Sequence, residues 1–245
     1  MTATRRDVLK LSATAALAAG VPSGCRMRAS KPPLPIAVPW TMKSLGSAET
    51  KVERLADDRL RFSIRHEVLA GVIPAMLVWW FNNMDGTLRI GDIDVPRYRV
   101  WHPRDHVALT YLRPGLDGRK FSTGARIHIQ EFFGADPRYR VDVVDDVGFL
   151  NETGFNHSLS VAGRHVVSMD YTFTPVAGGT RYENSLTVGI DRPALLRPLV
   201  NQAIRPWLFP EHMGRAWLKH NVEEVGNLQF FLPALYASEA SARAR

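Results

Sequence analysis

The sequence predicts an α+β fold in which an antiparallel sheet curls around a long C-terminal helix and leaves a cavity between the two. Three observations point there. From about residue 95 to 190, short β-rich runs alternate with turn signals at spacings too tight for crossover helices, so neighbouring strands run antiparallel. A helical stretch precedes this block and a longer one follows it, and one face of a sheet has to be covered by such elements. The 245 residues, 45% hydrophobic and 22% charged, supply one sizeable core and are short for two.

The chain opens on a targeting pattern. Residues 1–25 begin Thr4-Arg5-Arg6-Asp7-Val8-Leu9-Lys10, which resembles a twin-arginine export signal, followed by an Ala-rich apolar run too short to span a bilayer. Cys25 follows Pro22-Ser23-Gly24, a pattern similar to a lipoprotein cleavage site, so a membrane tether through Cys25 is an open expectation beside that of an uncleaved, disordered N-terminus. Periplasmic or cell-envelope placement follows from the export signal. Residues 26–50, with Lys31-Pro32-Pro33-Leu34-Pro35, read as an extended linker. The net charge of +7 includes five basic side chains opposed by one acidic residue within the first 28 positions, and without them about +3 remains. No nucleic-acid footprint follows from so even a balance. Cys25 is the one cysteine, which excludes an internal disulfide and any cysteine-based zinc site. A metal here has to be held by His, Asp or Glu.

The folded domain is expected over 51–236, with a disordered tail at 237–245. A first strand is expected at 59–65. Pro74 suits the first turn of a helix running to about Asn83, with Met76, Leu77, Trp80 and Phe81 at packing spacing. Trp79 is either a cavity residue or plain core. Strands follow at 107–112, 125–133, 139–144, 156–161, 165–173 and 180–188, separated by turns rich in Gly, Pro and Asp. Asp191 and Pro193 can open the last helical region, which Pro206 and Pro210 must break or kink, so that two segments are expected. The second segment, 211–231, is the element that closes the grip.

That last segment carries His220 and Glu224, four apart and therefore on one helix face. Such a pair can clamp a divalent metal if other ligands arrive from elsewhere. Upstream lie Trp101-His102-Pro103-Arg104-Asp105-His106 and then His128-Ile129-Gln130-Glu131. His106 at a strand start, Glu131 on the next strand, and His220 with Glu224 on the helix can converge on one cavity. Two imidazoles and two carboxylates suit zinc, and iron or manganese accept the same set. His102 competes with His106 as an alternative ligand. His212 reads as a surface or cavity-mouth residue, and Glu223, about 100° around the helix from Glu224, as solvated.

Taken together, Trp79-Trp80-Phe81, the run from Arg97 to His106, His128 to Glu131 and His220 to Glu224 resemble the diacetylphloroglucinol hydrolase family, which includes phloretin hydrolase. The resemblance covers roughly residues 60–230, with extra residues at 82–95. It implies a Bet v 1-like (START-like) helix-grip fold and hydrolysis of the carbon–carbon bond between an acyl group and a phenolic ring. It implies zinc (Zn2+) on His106, Glu131, His220 and Glu224, and a substrate-binding tyrosine at Tyr98. It favours His106 over His102, because His106 follows Asp105, which could orient a ligand. A further substrate-touching histidine is implied, and His157 and His165 both remain candidates. The implied partner is a small aromatic ketone. Two other readings stay open: a non-enzymatic carrier of hydrophobic ligands, and a metal-dependent polyketide isomerase or cyclase.

Overall fold

The computed structural model describes residues 31–192 and 197–243. The twin-arginine-like segment, Cys25 and Pro193 lie outside those residues. The elements are β1 (Glu49–Arg54), β2 (Leu60–Arg65), β3 (Leu69–Ala70), α1 (Pro74–Asn82), β4 (Thr87–Ile90), β5 (Ile93–Pro96), α2 (Arg97–Trp101), β6 (His106–Arg113) and β7 (Arg126–Phe132). They continue with β8 (Arg140–Asn151), β9 (Gly154–Val161), β10 (Arg164–Val176), β11 (Gly179–Val188), α3 (Arg197–Leu208) and α4 (Glu211–Arg243).

Among the described residues, nine strands form one antiparallel sheet. β6 to β11 follow one another as a meander, β2 and then β1 add beyond β11, and β3 also pairs with β11. Helix α4, 33 residues and so about 50 Å long at 1.5 Å per residue, lies against the sheet. This is the Bet v 1-like helix grip. The apolar positions of α4 explain its seat: Trp217, Leu218, Val222, Val225, Leu228, Leu232 and Leu235 are all buried. Close approach is set at Gly214, where a Cβ would come within 2.0 Å of the Phe62 ring of β2. One core cluster gathers Trp80, Phe81, Trp101, Phe155 and Val225, and a second gathers Phe62, Phe133, Phe209 and Trp217.

α1 begins at Pro74, whose ring fixes φ and whose missing N–H is not needed in a first turn. At its far end the Asn82 and Asn83 side chains donate back to the carbonyls of Val78 and Trp79. Leu77, Trp80 and Phe81 point into the core, and Trp79 is only half-buried, edge-on to Tyr236 and under the Arg97 guanidinium.

Several expectations are corrected. The sheet begins earlier, at Glu49. The residues after α1 form a separate hairpin, β4–β5, and the stretch from about 95, where the β-rich block was expected to begin, includes the short helix α2, which carries Tyr98. Arg97 holds that helix in place: its N–H bonds Gly86, and its guanidinium reaches the carbonyls of Asn83 and Thr87 and the carboxylate of Glu239. The same ion pair, with Tyr236 on Trp79, explains why α4 continues through 237–243, where a disordered tail was expected. Pro206 is carried inside α3, and the break falls at Phe209 and Pro210. Residues 34–43 form a strap over α4. The Ile36 N–H bonds the Pro103 carbonyl, and the Trp40 indole donates to Asn227 while stacking on Phe230 and Phe231.

Candidate metal centre and cavity

His106 and Glu131 stand directly opposite one another, because β6 and β7 pair in a register that places them as partners. Both are buried on the side facing α4. The helix contributes His220 and Glu224 from one face, as their spacing requires. The four side chains meet. His106 Nε2 lies 3.3 Å from Glu131 Oε1 and 3.2 Å from Glu224 Oε2, and His220 Nε2 lies 3.6 Å from Glu131 Oε2 and 3.8 Å from Glu224 Oε2. His106, Glu131 and His220 offer ligand atoms all within 4.8 Å of one another.

Hydrogen bonds behind the site aim both imidazoles. His106 Nδ1 is 2.7 Å from the Tyr98 carbonyl, which can only accept, so Nδ1 carries the proton and the Nε2 lone pair faces the carboxylates. His220 Nδ1 is 2.9 Å from Asp105 Oδ2, which turns its Nε2 inward in the same way. Asp105 is itself pinned by the backbone N–H groups of Gly134 and Ala135, at 2.7 and 2.9 Å. The Tyr98 hydroxyl donates to Glu131 Oε1.

Charge follows from these contacts. Burial pushes His106 down to about 4, against the pull of Glu131, so it is neutral at neutral pH. Burial works against a charged His220 as well, but the Asp105 hydrogen bond and the nearby Glu224 and Glu131 outweigh it and raise this group to about 9. Burial raises Glu224 to about 7, with His220 opposing. Asp105 is held well below the usual carboxylate range: burial acts upward, and the His220 hydrogen bond and charge overcome it. Three buried carboxylates therefore converge where His220 alone of the two imidazoles carries charge, a balance that a divalent cation also satisfies.

A cavity of about 370 Å³ opens beside the cluster, between sheet and α4. Tyr98, Glu131, His220 and Glu224 form one polar part of its lining. Asp145, His157 and Tyr171 form a second, and apolar side chains such as Leu109, Ile129, Val143 and Met169 make much of the wall. His157 Nδ1 is 2.6 Å from Asp145 Oδ2 and its Nε2 3.3 Å from the Tyr171 hydroxyl. Burial holds the Tyr98 and Tyr171 phenols well above their ordinary range, helped by neighbouring Glu131 and, for Tyr171, by Tyr182 and Glu224, so both are donors.

The other candidates separate cleanly. His165 is exposed on β10, bonded to Ser158 and Ser160, and is not part of the cavity lining. His102 follows α2 rather than lying on a strand. It is fully buried behind the site, its ring stacked on His220 at 4.6 Å. Glu223, expected in solvent, is buried and takes contacts from His102, Arg104 and Lys219. His212 is exposed beside Tyr139, and His128 pairs with Asp142. Tyr171 and Asp145 were missed from sequence. The alternation Met169, Tyr171, Phe173 on one face of β10 was the available signal for Tyr171, whereas Asp145 has none, since an acidic residue in a strand usually faces water.

No family model matches the chain, and no curated protein does. Among solved structures, the KanY protein aligns with a TM-score of 0.43 at 9% identity, covering 79% of this chain and 99% of that one. A START superfamily protein from Mycobacterium smegmatis aligns with a TM-score of 0.37 at 15% identity over 68% of this chain and 98% of its own. Ara h 8.0201 aligns with a TM-score of 0.34 at 14% identity over 70% of this chain and 98% of its own. These likenesses concern the fold.

Proposed function

We propose that the chain is a zinc-dependent hydrolase that cleaves the carbon–carbon bond between an acyl group and a phenolic, phloroglucinol-like ring. One observation carries the reading. Among the described residues His106 Nε2 is buried without a hydrogen-bond partner, its ring is fixed through the other nitrogen, and the atom faces two carboxylates. A buried polar atom left in this way calls for a ligand, and a lone pair flanked by carboxylates suits a cation. His106, Glu131, His220 and Glu224 would hold the ion.

Bound zinc supplies Lewis-acid polarisation of a ketone or activation of a water. The protein's residues do the rest. The apolar wall excludes bulk water and receives ring and acyl group. Tyr98, whose hydroxyl donates to Glu131 Oε1 and keeps lone pairs to accept with, would hold a ring hydroxyl at the metal side. His157, oriented by Asp145 and beside Tyr171, would hold a second hydroxyl, take up at Nε2 the proton released as water adds to the carbonyl, and pass it to the ring carbon. The step balances: water adds to the carbonyl carbon, the electron pair of the broken bond goes to the ring, and the ring carbon takes a proton. The products are a carboxylic acid and a deacylated phenol. Export through the twin-arginine-type segment, with a tether at Cys25, belongs to this proposal.

The test is elemental analysis of purified protein, followed by incubation with an acylphloroglucinol and assay of released carboxylic acid. One zinc per chain and acid release are expected, and protein that takes up no metal defeats the reading. The extent of the apolar wall favours a second reading, a hydrophobic-ligand carrier or a metal-dependent polyketide isomerase or cyclase. Tight binding without turnover identifies the carrier, and a rearranged product without free acid the cyclase.

A further inference from the structure

We infer that His66, Asn184 and Asn221 form a one-way chain of hydrogen bonds that fixes Glu224 so that it offers a single oxygen to the metal. The inference rests on the metal-centre reading above and adds three positioning residues to it. The chain begins at His66, just past β2, crosses Asn184 on β11, and reaches Asn221 and Glu224 on α4. His66, Asn184 and Asn221 are 6%, 5% and 1% exposed, so water does not compete for their polar atoms.

The direction of every bond follows from the last one. As a metal ligand Glu224 is ionised and can only accept, so the Asn221 amide nitrogen faces its Oε1. Asn221 Oδ1 is then an acceptor, and the Asn184 amide nitrogen donates to it at 2.6 Å. Asn184 Oδ1 accepts in turn, from His66 Nε2 at 3.1 Å, which fixes His66 as the Nε2–H tautomer. Three donors in series thus point at one carboxylate oxygen. The other oxygen, Oε2, is the one that lies 3.2 Å from His106 Nε2 and 3.8 Å from His220 Nε2.

Such a chain is needed because the terminal torsion of a glutamate is soft and roughly two-fold. An unheld Glu224 could present both oxygens or turn away from His106. Holding Oε1 leaves one oxygen for the ion and keeps a coordination position for substrate or water. Because Asn184 belongs to the sheet and Asn221 to the helix, the ligand's orientation is tied to the docking of α4.

The experiment compares wild type, Asn221→Ala and Asn184→Ala as full-length proteins, by zinc competition against a chelator and by the visible spectrum of the cobalt-substituted forms. Asn221→Ala is expected to weaken zinc binding by about 10–100-fold, as for other residues that orient metal ligands, and Asn184→Ala in the same direction by less. The cobalt bands of Asn221→Ala are expected to lose intensity as Glu224 supplies a second oxygen. Nitrogen-15 NMR of zinc-loaded wild type is expected to show His66 protonated at Nε2. Unchanged zinc affinity and cobalt spectrum in a folded Asn221→Ala protein would overturn the inference, as would a His66 proton on Nδ1. If Asn221→Ala does not fold, Asn184→Ala and His66→Gln decide by the same measurements. A wild type that binds no zinc defeats the hydrolase reading, whereas wild-type binding with unaltered variants defeats only the chain.

Discussion

Replacing Asp105 by asparagine removes one charge and almost no volume, and the structure specifies what is lost. The carboxylate accepts from His220 Nδ1 at 2.9 Å and Gly134 N at 2.7 Å through Oδ2, and from Ala135 N at 2.9 Å through Oδ1. An asparagine has one acceptor oxygen. If it serves His220 and Gly134, its amide nitrogen faces the Ala135 N–H, donor against donor, in a fully buried place. The loss of charge-assisted bonds and one unmet buried N–H sum to a destabilisation of about 2–4 kcal/mol in the metal-free protein. With less hold on its Nδ1 proton, His220 also ligates less well, and zinc affinity is expected to fall about 10–100-fold. Urea unfolding of metal-free protein and chelator competition measure the two effects. The pH dependence gives a further check. Asp105 is depressed in the folded state, so its contribution is present above the ordinary carboxylate range and is lost as pH falls through the lower folded value. The gap between wild type and Asp105→Asn should therefore narrow in acid. Equal stability at neutral pH together with equal zinc affinity would refute the assignment of Asp105 as the group that orients His220.

Two other outcomes are expected. His220, raised to about 9, stabilises the metal-free fold below its unfolded value near 6.5, and this is lost as pH rises through 9. Since zinc must displace that proton, its affinity should climb by up to about tenfold (about 1.4 kcal/mol) per pH unit between about 7 and 9 and level off above, and a flat titration by chelator competition would contradict it. His157→Ala should abolish or greatly reduce acid release from an acylphloroglucinol while zinc content stays at wild-type level, and His165→Ala should leave both unchanged. An activity loss in the His165 variant alone would reverse the assignment of the two.

The pieces of the site that were legible in sequence were those governed by a fixed period. Four residues on a helix bring His220 over Glu224 whatever surrounds them. The strand alternation and tight turns around 106 and 131 announce a hairpin, and the hairpin register brings the two side chains face to face. What escaped depended on contacts distant in sequence. Glu223 was judged by its helical angle, but α4 is enclosed on that side too, by His102 and Arg104. The helix α2 is too short for a periodicity signal and exists because Arg97 ties it to α1 and to Glu239. The two helical segments were legible from Pro206 and Pro210, but not which proline ends the first: α3 carries Pro206, and the break falls at Pro210. Asn184 and Asn221 are unremarkable letters until β11 and α4 bring them to 2.6 Å.

Among the described residues β6 is the last strand of its sheet, with a ladder on one flank only, and His106 is its first residue. An ion shared by His106 and the helix pair would rivet that open margin to the chain's final element, joining parts 114 positions apart in a protein without cystines to do so. Metal loading would then govern how readily the margin peels, and hydrogen exchange along β6 should slow more on loading than along the interior strands β9 and β10.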